Sequence, residues 1–193
     1  MASKLNIRWH GRAGQGAVTA AKTIAELVAY DPNKYVQGFA IYGAEKRGAP
    51  VAAFTRIEDS PIRRHSLNMA PDVVILLDPS LVGIVNVAEG AKEGASIIIN
   101  SAKEKDEIVK EIGIDPNRFK VYVVDANRIS KEELGKAIPN APMMGALAKI
   151  TGIFSKDEIL KITKELFEEQ GKFSNKVIEG NLRSIGRAFE EIS

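Results

Sequence analysis

The chain has 193 residues, 27 Lys and Arg against 25 Asp and Glu, and no cysteine. This length is enough for one domain, residues 1–193, with a sizeable core, and a net charge of +2 leaves no electrostatic footprint for nucleic acid. Without a thiol the chain can form no disulfide, no sulfur-ligated zinc site and no iron–sulfur cluster, and its two histidines, His10 and His65, predict no metal centre.

The opening Met1-Ala2-Ser3-Lys4-Leu5 lacks the apolar core of a signal peptide. No apolar run approaches the ~20 residues of a membrane span, so a cytoplasmic protein is expected. Leu5 to Trp9 reads as a buried strand, and Ala17 to Tyr30 as a helix with Ile24, Leu27 and Val28 on one face. Asp31-Pro32-Asn33 breaks it. Strands follow at Tyr35 to Ile41 and Val51 to Glu58, separated by a glycine-containing loop, and Arg63 to Leu67 reads as a short strand or hairpin arm. Arg63-Arg64-His65 reads as an exposed charge cluster.

The unbroken run Val73 to Leu77, ending at Asp78-Pro79, is the clearest buried strand, and Ser96 to Asn100 and Lys120 to Val124 are two more. Between those two a helix runs from Lys103 to Ile112, stopped by Gly113. Ser130-Lys131-Glu132-Glu133 and Ser155-Lys156-Asp157-Glu158 both have the spacing of a capping box that opens a helix. Pro139 and Pro142 punctuate a loop before a packed helix from Met143 to Phe154. The remainder is helical, with stripes at Ile159, Ile162, Thr163, Leu166 and Phe167 and at Val177, Ile178, Leu182, Ile185, Phe189 and Ile192. Strands alternating with helices predict an α/β fold: a Rossmann-like open, mainly parallel sheet flanked by helices, with an antiparallel excursion over Val51 to Leu67 and C-terminal helices.

Two stretches point to chemistry. Gly11-Arg12-Ala13-Gly14-Gln15-Gly16 joins the first strand to the first helix, where free backbone N–H groups and the helix dipole favour an anion. Its G-x-x-G-x-G order reverses the dinucleotide fingerprint, and ~20 residues beyond Gly16 stand Val36 and Gln37 rather than a ribose-binding carboxylate. Ala17-Val18 stand where a Walker-type loop needs Lys and then Ser or Thr. An anion held by these amides, with side-chain help from Arg12, Gln15, Thr19 and Lys22, and a ligand-free tight turn both fit the residues. The second stretch, Tyr42-Gly43-Ala44-Glu45-Lys46-Arg47-Gly48-Ala49-Pro50, follows a strand and belongs at the same sheet edge. Lys46 and Arg47 fit a phosphate clamp, and on spacing alone a solvated turn whose glycines serve geometry fits somewhat better. Asp78 suits either a ligand contact or a cap, His10 a satisfied loop position, and Met143-Met144 packing. No catalytic constellation stands out.

Taken together, these two loops resemble the gamma subunit of 2-oxoacid:ferredoxin oxidoreductases, most closely the pyruvate type. Pro71-Asp72-Val73-Val74-Ile75-Leu76-Leu77-Asp78, Val123-Val124-Asp125-Ala126 and Pro139-Asn140-Ala141-Pro142-Met143-Met144-Gly145-Ala146 agree in order, so the resemblance spans nearly the whole chain. It implies reversible, coenzyme A-dependent oxidative decarboxylation of pyruvate to acetyl-CoA and CO2, with electrons passing to ferredoxin. It also implies alpha, beta and delta partner subunits in a heterotetramer, where thiamine diphosphate and iron–sulfur clusters belong to the partners. The implied share of this chain is one side of the coenzyme A site, at Gly11, Arg12, Gly14, Gln15, Gly16, Thr19, Glu45, Lys46, Arg47 and Gly48. Arg12-Ala13 and Gly48-Ala49 stand where the family often has glycine, wording close to the pyruvate branch; a 2-oxoglutarate or branched-chain substrate stays open, because the resemblance implies that substrate contacts lie mostly in the other subunits. A stand-alone nucleotide-binding enzyme and a purely structural interaction domain are the readings from other classes.

Overall fold

A computed structural model describes residues 4–42, 48–63 and 70–193. Among these residues six strands form one sheet: β1 (Lys4–Arg12), β2 (Tyr35–Tyr42), β3 (Pro50–Glu58), β4 (Val73–Leu76), β5 (Ser96–Asn100) and β6 (Lys120–Val124), in the order β2-β3-β1-β4-β5-β6. β4, β5 and β6 run parallel to β1, while β3 lies antiparallel between β1 and β2. The antiparallel excursion is therefore a single central strand, with Lys4 opposite Glu58 at one end of its register and Arg12 opposite Pro50 at the other. Expected Arg63 to Leu67 forms no strand at Arg63, and residues 64–67 lie outside the described residues.

Strand alternation divides the core between the two faces of the sheet. Ile7, Trp9, Ile75 and Ile98 point to the face covered by α1 (Ala17–Val28), α4 (Asn140–Thr151), α5 (Lys156–Gln170) and α6 (Asn175–Glu191). Val74, Leu76, Ile97, Ile99 and Val121 point the other way, onto Leu81, Val87, Phe119 and α2 (Lys105–Ile112). The Trp9 indole is buried with its N–H on Thr55 Oγ1 (3.1 Å), and that hydroxyl donates to Ala21 O (2.9 Å), so the largest core side chain leaves no polar atom unpaired.

Four local expectations need correction. β1 continues through Gly11 and Arg12, because β3 supplies partners as far as Pro50. The capping box at Ser130 does not exist. α3 (Ala126–Leu134) starts earlier, capped by Asp125, whose carboxylate accepts from Arg128 N (2.9 Å). Ser130 is buried in mid-helix, donating to Asn127 O (3.2 Å) and accepting from Ile138 N (3.0 Å). Pro142 lies inside the first turn of α4 rather than in a loop, a position where a missing N–H costs no helical bond. α4 spans Asn140–Thr151 and stops at Gly152 (φ 65°), short of Phe154. The Ser155 box is real: Ser155 Oγ accepts from Glu158 N (3.3 Å) and Glu158 accepts from Ser155 N (2.7 Å).

Candidate functional site

The carboxyl ends of β1, β2 and β4 meet at one edge of the sheet, which is where open α/β sheets place ligands. β1 delivers Gly11 and Arg12 there. Gly14 (φ 99°) and Gly16 (φ 83°) then turn the chain into α1 through left-handed backbone that side-chain-bearing residues avoid. No side chain caps this helix and its first turn holds no acid. The first helical bond runs from Ala20 N to Gly16 O (2.8 Å), so the amides of Ala17, Val18 and Thr19 precede the ladder. The same three residues line a cavity of about 270 Å³, together with Arg12, Ala13, Gly14, Gly16 and Val51. Partial positive charge opens here onto walls that, Arg12 apart, are small and uncharged.

The polar side chains around the turn are engaged with one another. Arg12 directs Nη1 to Gly48 O (3.0 Å), Nε to Ser80 Oγ (3.1 Å) and Nη2 to Ser80 O (3.2 Å), with Nε 3.3 Å from Asp78 Oδ2. Gln15 spans the turn: its Oε1 accepts from Arg12 N (2.7 Å) and its Nε2 donates to Asp78 Oδ2 (2.6 Å). Asp78 also caps the short 3-10 turn Pro79–Leu81, accepting from Ser80 N (2.9 Å). Burial alone would raise the Asp78 carboxyl. The hydrogen bonds from Ser80 and Gln15 and the Arg12 cation outweigh that and hold it below the usual range.

The two glycine-rich stretches do come together. Ala13 N donates to Ala49 O (3.0 Å), and Arg12 reaches Gly48 O. Glu45, Lys46 and Arg47 lie outside the described residues, as do Arg64 and His65. Thr19 stands exposed at the cavity rim, whereas Lys22 is exposed on α1 beyond the lining. Met143 and Met144 are core residues of this chain, 0% and 2% exposed.

His10 departs from expectation. It sits on β1, not in a loop, 8% exposed, and its Nε2 has no partner among the described residues. Burial and then the Arg8 cation lower it to about 4. Arg8 is buried beside it, donating from Nη2 to Val87 O (2.7 Å).

Two contributors carried no clear sequence signal. Ser80 is the hydroxyl that receives Arg12, brought in only because β4 pairs with β1. Asn140, the first residue of α4, lies where a Cβ on Gly16 would come within 2.9 Å. Among the described residues no cluster of three or more metal-ligating side chains exists, and no helix is long and apolar enough to cross a membrane.

A family model described as pyruvate ferredoxin/flavodoxin oxidoreductase matches residues 6–191. The chain is 44% identical over 187 residues to the "Pyruvate/ketoisovalerate oxidoreductases common subunit gamma" of Thermococcus litoralis, covering 97% of this chain and 96% of that one. It is 42% identical over 186 residues to "Pyruvate synthase subunit PorC" of Thermotoga maritima, covering 96% and 93%. The crystal structure of pyruvate oxidoreductase subunit PORC from Thermotoga maritima superposes with a TM-score of 0.83 at 37% identity, covering 100% of this chain and 98% of that one.

Proposed function

The chain belongs to the pyruvate ferredoxin/flavodoxin oxidoreductase family, as a gamma-type subunit of a 2-oxoacid:ferredoxin oxidoreductase, and we propose that within such a complex its carboxyl-edge crevice forms one side of the coenzyme A site. The complex, in the cytoplasm, would convert pyruvate and coenzyme A reversibly to acetyl-CoA and CO2 while reducing ferredoxin. Alpha, beta and delta subunits would supply the thiamine diphosphate site and the iron–sulfur clusters, for which this chain has no cysteine ligand. The chain contributes binding and orientation rather than bond-making groups.

One observation carries this reading: the uncapped start of α1 opens onto the crevice. Coenzyme A presents a pyrophosphate and a 3′-phosphate, and three amides at a helix start suit such an anion. A volume of about 270 Å³ takes a phosphate-bearing segment and not the whole coenzyme, so the rest must lie against neighbouring surfaces. Since Arg12 is engaged by Asp78, Ser80 and Gly48, the charge assigned to phosphate in this proposal is that of Lys46 and Arg47, which precede Gly48 in the sequence. Thr19 stands at the rim, and Glu45 and Gly48 belong to the proposed site from the sequence. A relative whose name makes it common to pyruvate and ketoisovalerate oxidoreductases supports the view that other subunits select the oxoacid.

The test replaces Lys46 and Arg47 by Ala in the assembled oxidoreductase. Losing two charge-assisted contacts should raise the KM for coenzyme A roughly tenfold to a hundredfold, with the KM for pyruvate unchanged. An unchanged KM for coenzyme A, or full pyruvate turnover by the lone polypeptide, overturns the proposal.

A further inference from the structure

Resting on the coenzyme A reading, we propose that Asp78 is a positioning residue for coenzyme binding: acting through Gln15 and Arg12, it holds the first glycine turn in the shape that leaves the α1 amides open. Asp78 does not line the crevice, and neither does Gln15. Yet one carboxylate oxygen ties down both ends of the turn. Oδ2 receives Gln15 Nε2 at 2.6 Å and lies 3.3 Å from Arg12 Nε. Gln15 closes the ring by accepting from Arg12 N at 2.7 Å. Within that ring Gly14 stands exposed in left-handed backbone, with no heavy atom of the described residues within 4 Å of where a Cβ would be. Arg12 is held further by Ser80 and by Gly48 O, and the turn's main-chain bonds among the described residues are Gln15 N to Arg12 O and Ala13 N to Ala49 O (both 3.0 Å). A glycine-rich turn with few main-chain bonds of its own keeps a binding shape only when side chains over-determine it.

Asp78 is suited to this by both charge and place. It follows β4, the parallel neighbour of β1, and its Oδ1 is fixed by Ser80 N (2.9 Å). A carboxylate near a phosphate site repels its ligand unless neutralised, and Arg12 neutralises it. Arg12 thereby belongs to the frame of the site and not to its phosphate contacts.

The experiment uses the assembled oxidoreductase carrying Asp78→Asn, Ser80→Ala, Gln15→Ala or the Asp78→Asn/Gln15→Ala pair. Asp78→Asn should raise the KM for coenzyme A about tenfold, and Ser80→Ala about threefold, each with kcat and the KM for pyruvate held. The pair should be no worse than the more severe single change, because both act through one link. Ser80→Ala removes only an exposed hydroxyl, so it reports even if Asp78→Asn fails to assemble. Unchanged coenzyme KM in Asp78→Asn or in Ser80→Ala, or additive effects in the pair, overturns the proposal. If Lys46→Ala/Arg47→Ala still raises that KM, only the positioning role has failed. If it does not, the coenzyme reading has failed as well.

Discussion

The crossing of α4 with α6 and the entry to α1 both depend on glycine, for opposite reasons. A Cβ on Gly145 would sit 2.1 Å from Ile185 O, so the α6 backbone already occupies that space. A Cβ on Gly14 would meet nothing within 4 Å among the described residues, and there the requirement is a φ of 99°. Around Gly145, α4 is buried from Ala141 to Ala148, an apolar rod enclosed by α1, α3, α5 and α6. Around Gly14 the wall is exposed backbone framed by a polar ring. The first region is specified by space, the second by main-chain conformation and charge. Substitutions in the first should therefore register as stability, and those in the second as ligand affinity.

The largest effect expected from this contrast is at Gly145. Gly145→Ala forces α4 and α6 apart and should cost about 3–5 kcal/mol, seen as a collapse of the thermal unfolding midpoint. Gly14→Ala carries only backbone strain and should cost about 1 kcal/mol. Equal midpoints for the two variants would break the comparison.

The next effect asks whether the polar side of β1 is packed like the first region or open like the second. His10 is lowered to about 4 by burial and by Arg8. The unfolded chain therefore binds more protons than the native one below the ordinary value of ~6.5, so stability is full above that value and is lost as pH falls towards 4. The loss amounts to about 3 kcal/mol, and the denaturant midpoint of wild type should fall relative to that of His10→Leu as the pH is lowered. A constant difference between them would mean that water reaches His10 and that this side is open.

The two regions were unequally legible in the sequence. β5 and β6 run over the expected residues, and β4 stops one residue short, because unbroken β-branched runs bounded by turn residues leave little choice of state. The Ser155 box shows in its spacing because a cap involves only neighbouring residues. The same spacing misleads at Ser130, where burial decides and Asp125 takes the cap. The placement of β3 between β1 and β2 is non-local and had no signature beyond an expected reversal. In the site, the glycine turn and Thr19 are local and visible. That Arg12 would turn to Ser80, 68 residues away, depends on β1–β4 pairing that no motif encodes. Gly16 against Asn140 depends on how α4 docks.

Gly16 is the point where both kinds of requirement meet. Its φ is 83°, and a Cβ there would come within 2.9 Å of the Asn140 side chain. Gly16→Ala should cost about 2 kcal/mol and also raise the KM for coenzyme A, because the α1 amides tilt with it. Adding Asn140→Ala relieves the contact but not the dihedral strain, so unfolding should recover in part while the KM stays raised. Full recovery of both would show that contact alone sets this turn.

The smallest effect tests whether the two regions are independent. Ser155→Ala removes the hydroxyl that caps α5 and should cost about 1 kcal/mol. α5 packs on α4 and α6 and reaches α1 as well, so it contacts the element whose start lines the crevice. It meets the opposite end of that element, however: Gln170 pairs with Glu26 (3.2 Å) and Glu169 with Tyr30 (2.9 Å), whereas the crevice begins at Ala17. A rigid α1 passes on no change in amide direction when one neighbouring helix loses a cap. The thermal midpoint should therefore fall by a few degrees while the KM for coenzyme A stays put. A KM that rises with Ser155→Ala would mean that α1 moves as a lever, with packing at one end setting affinity at the other.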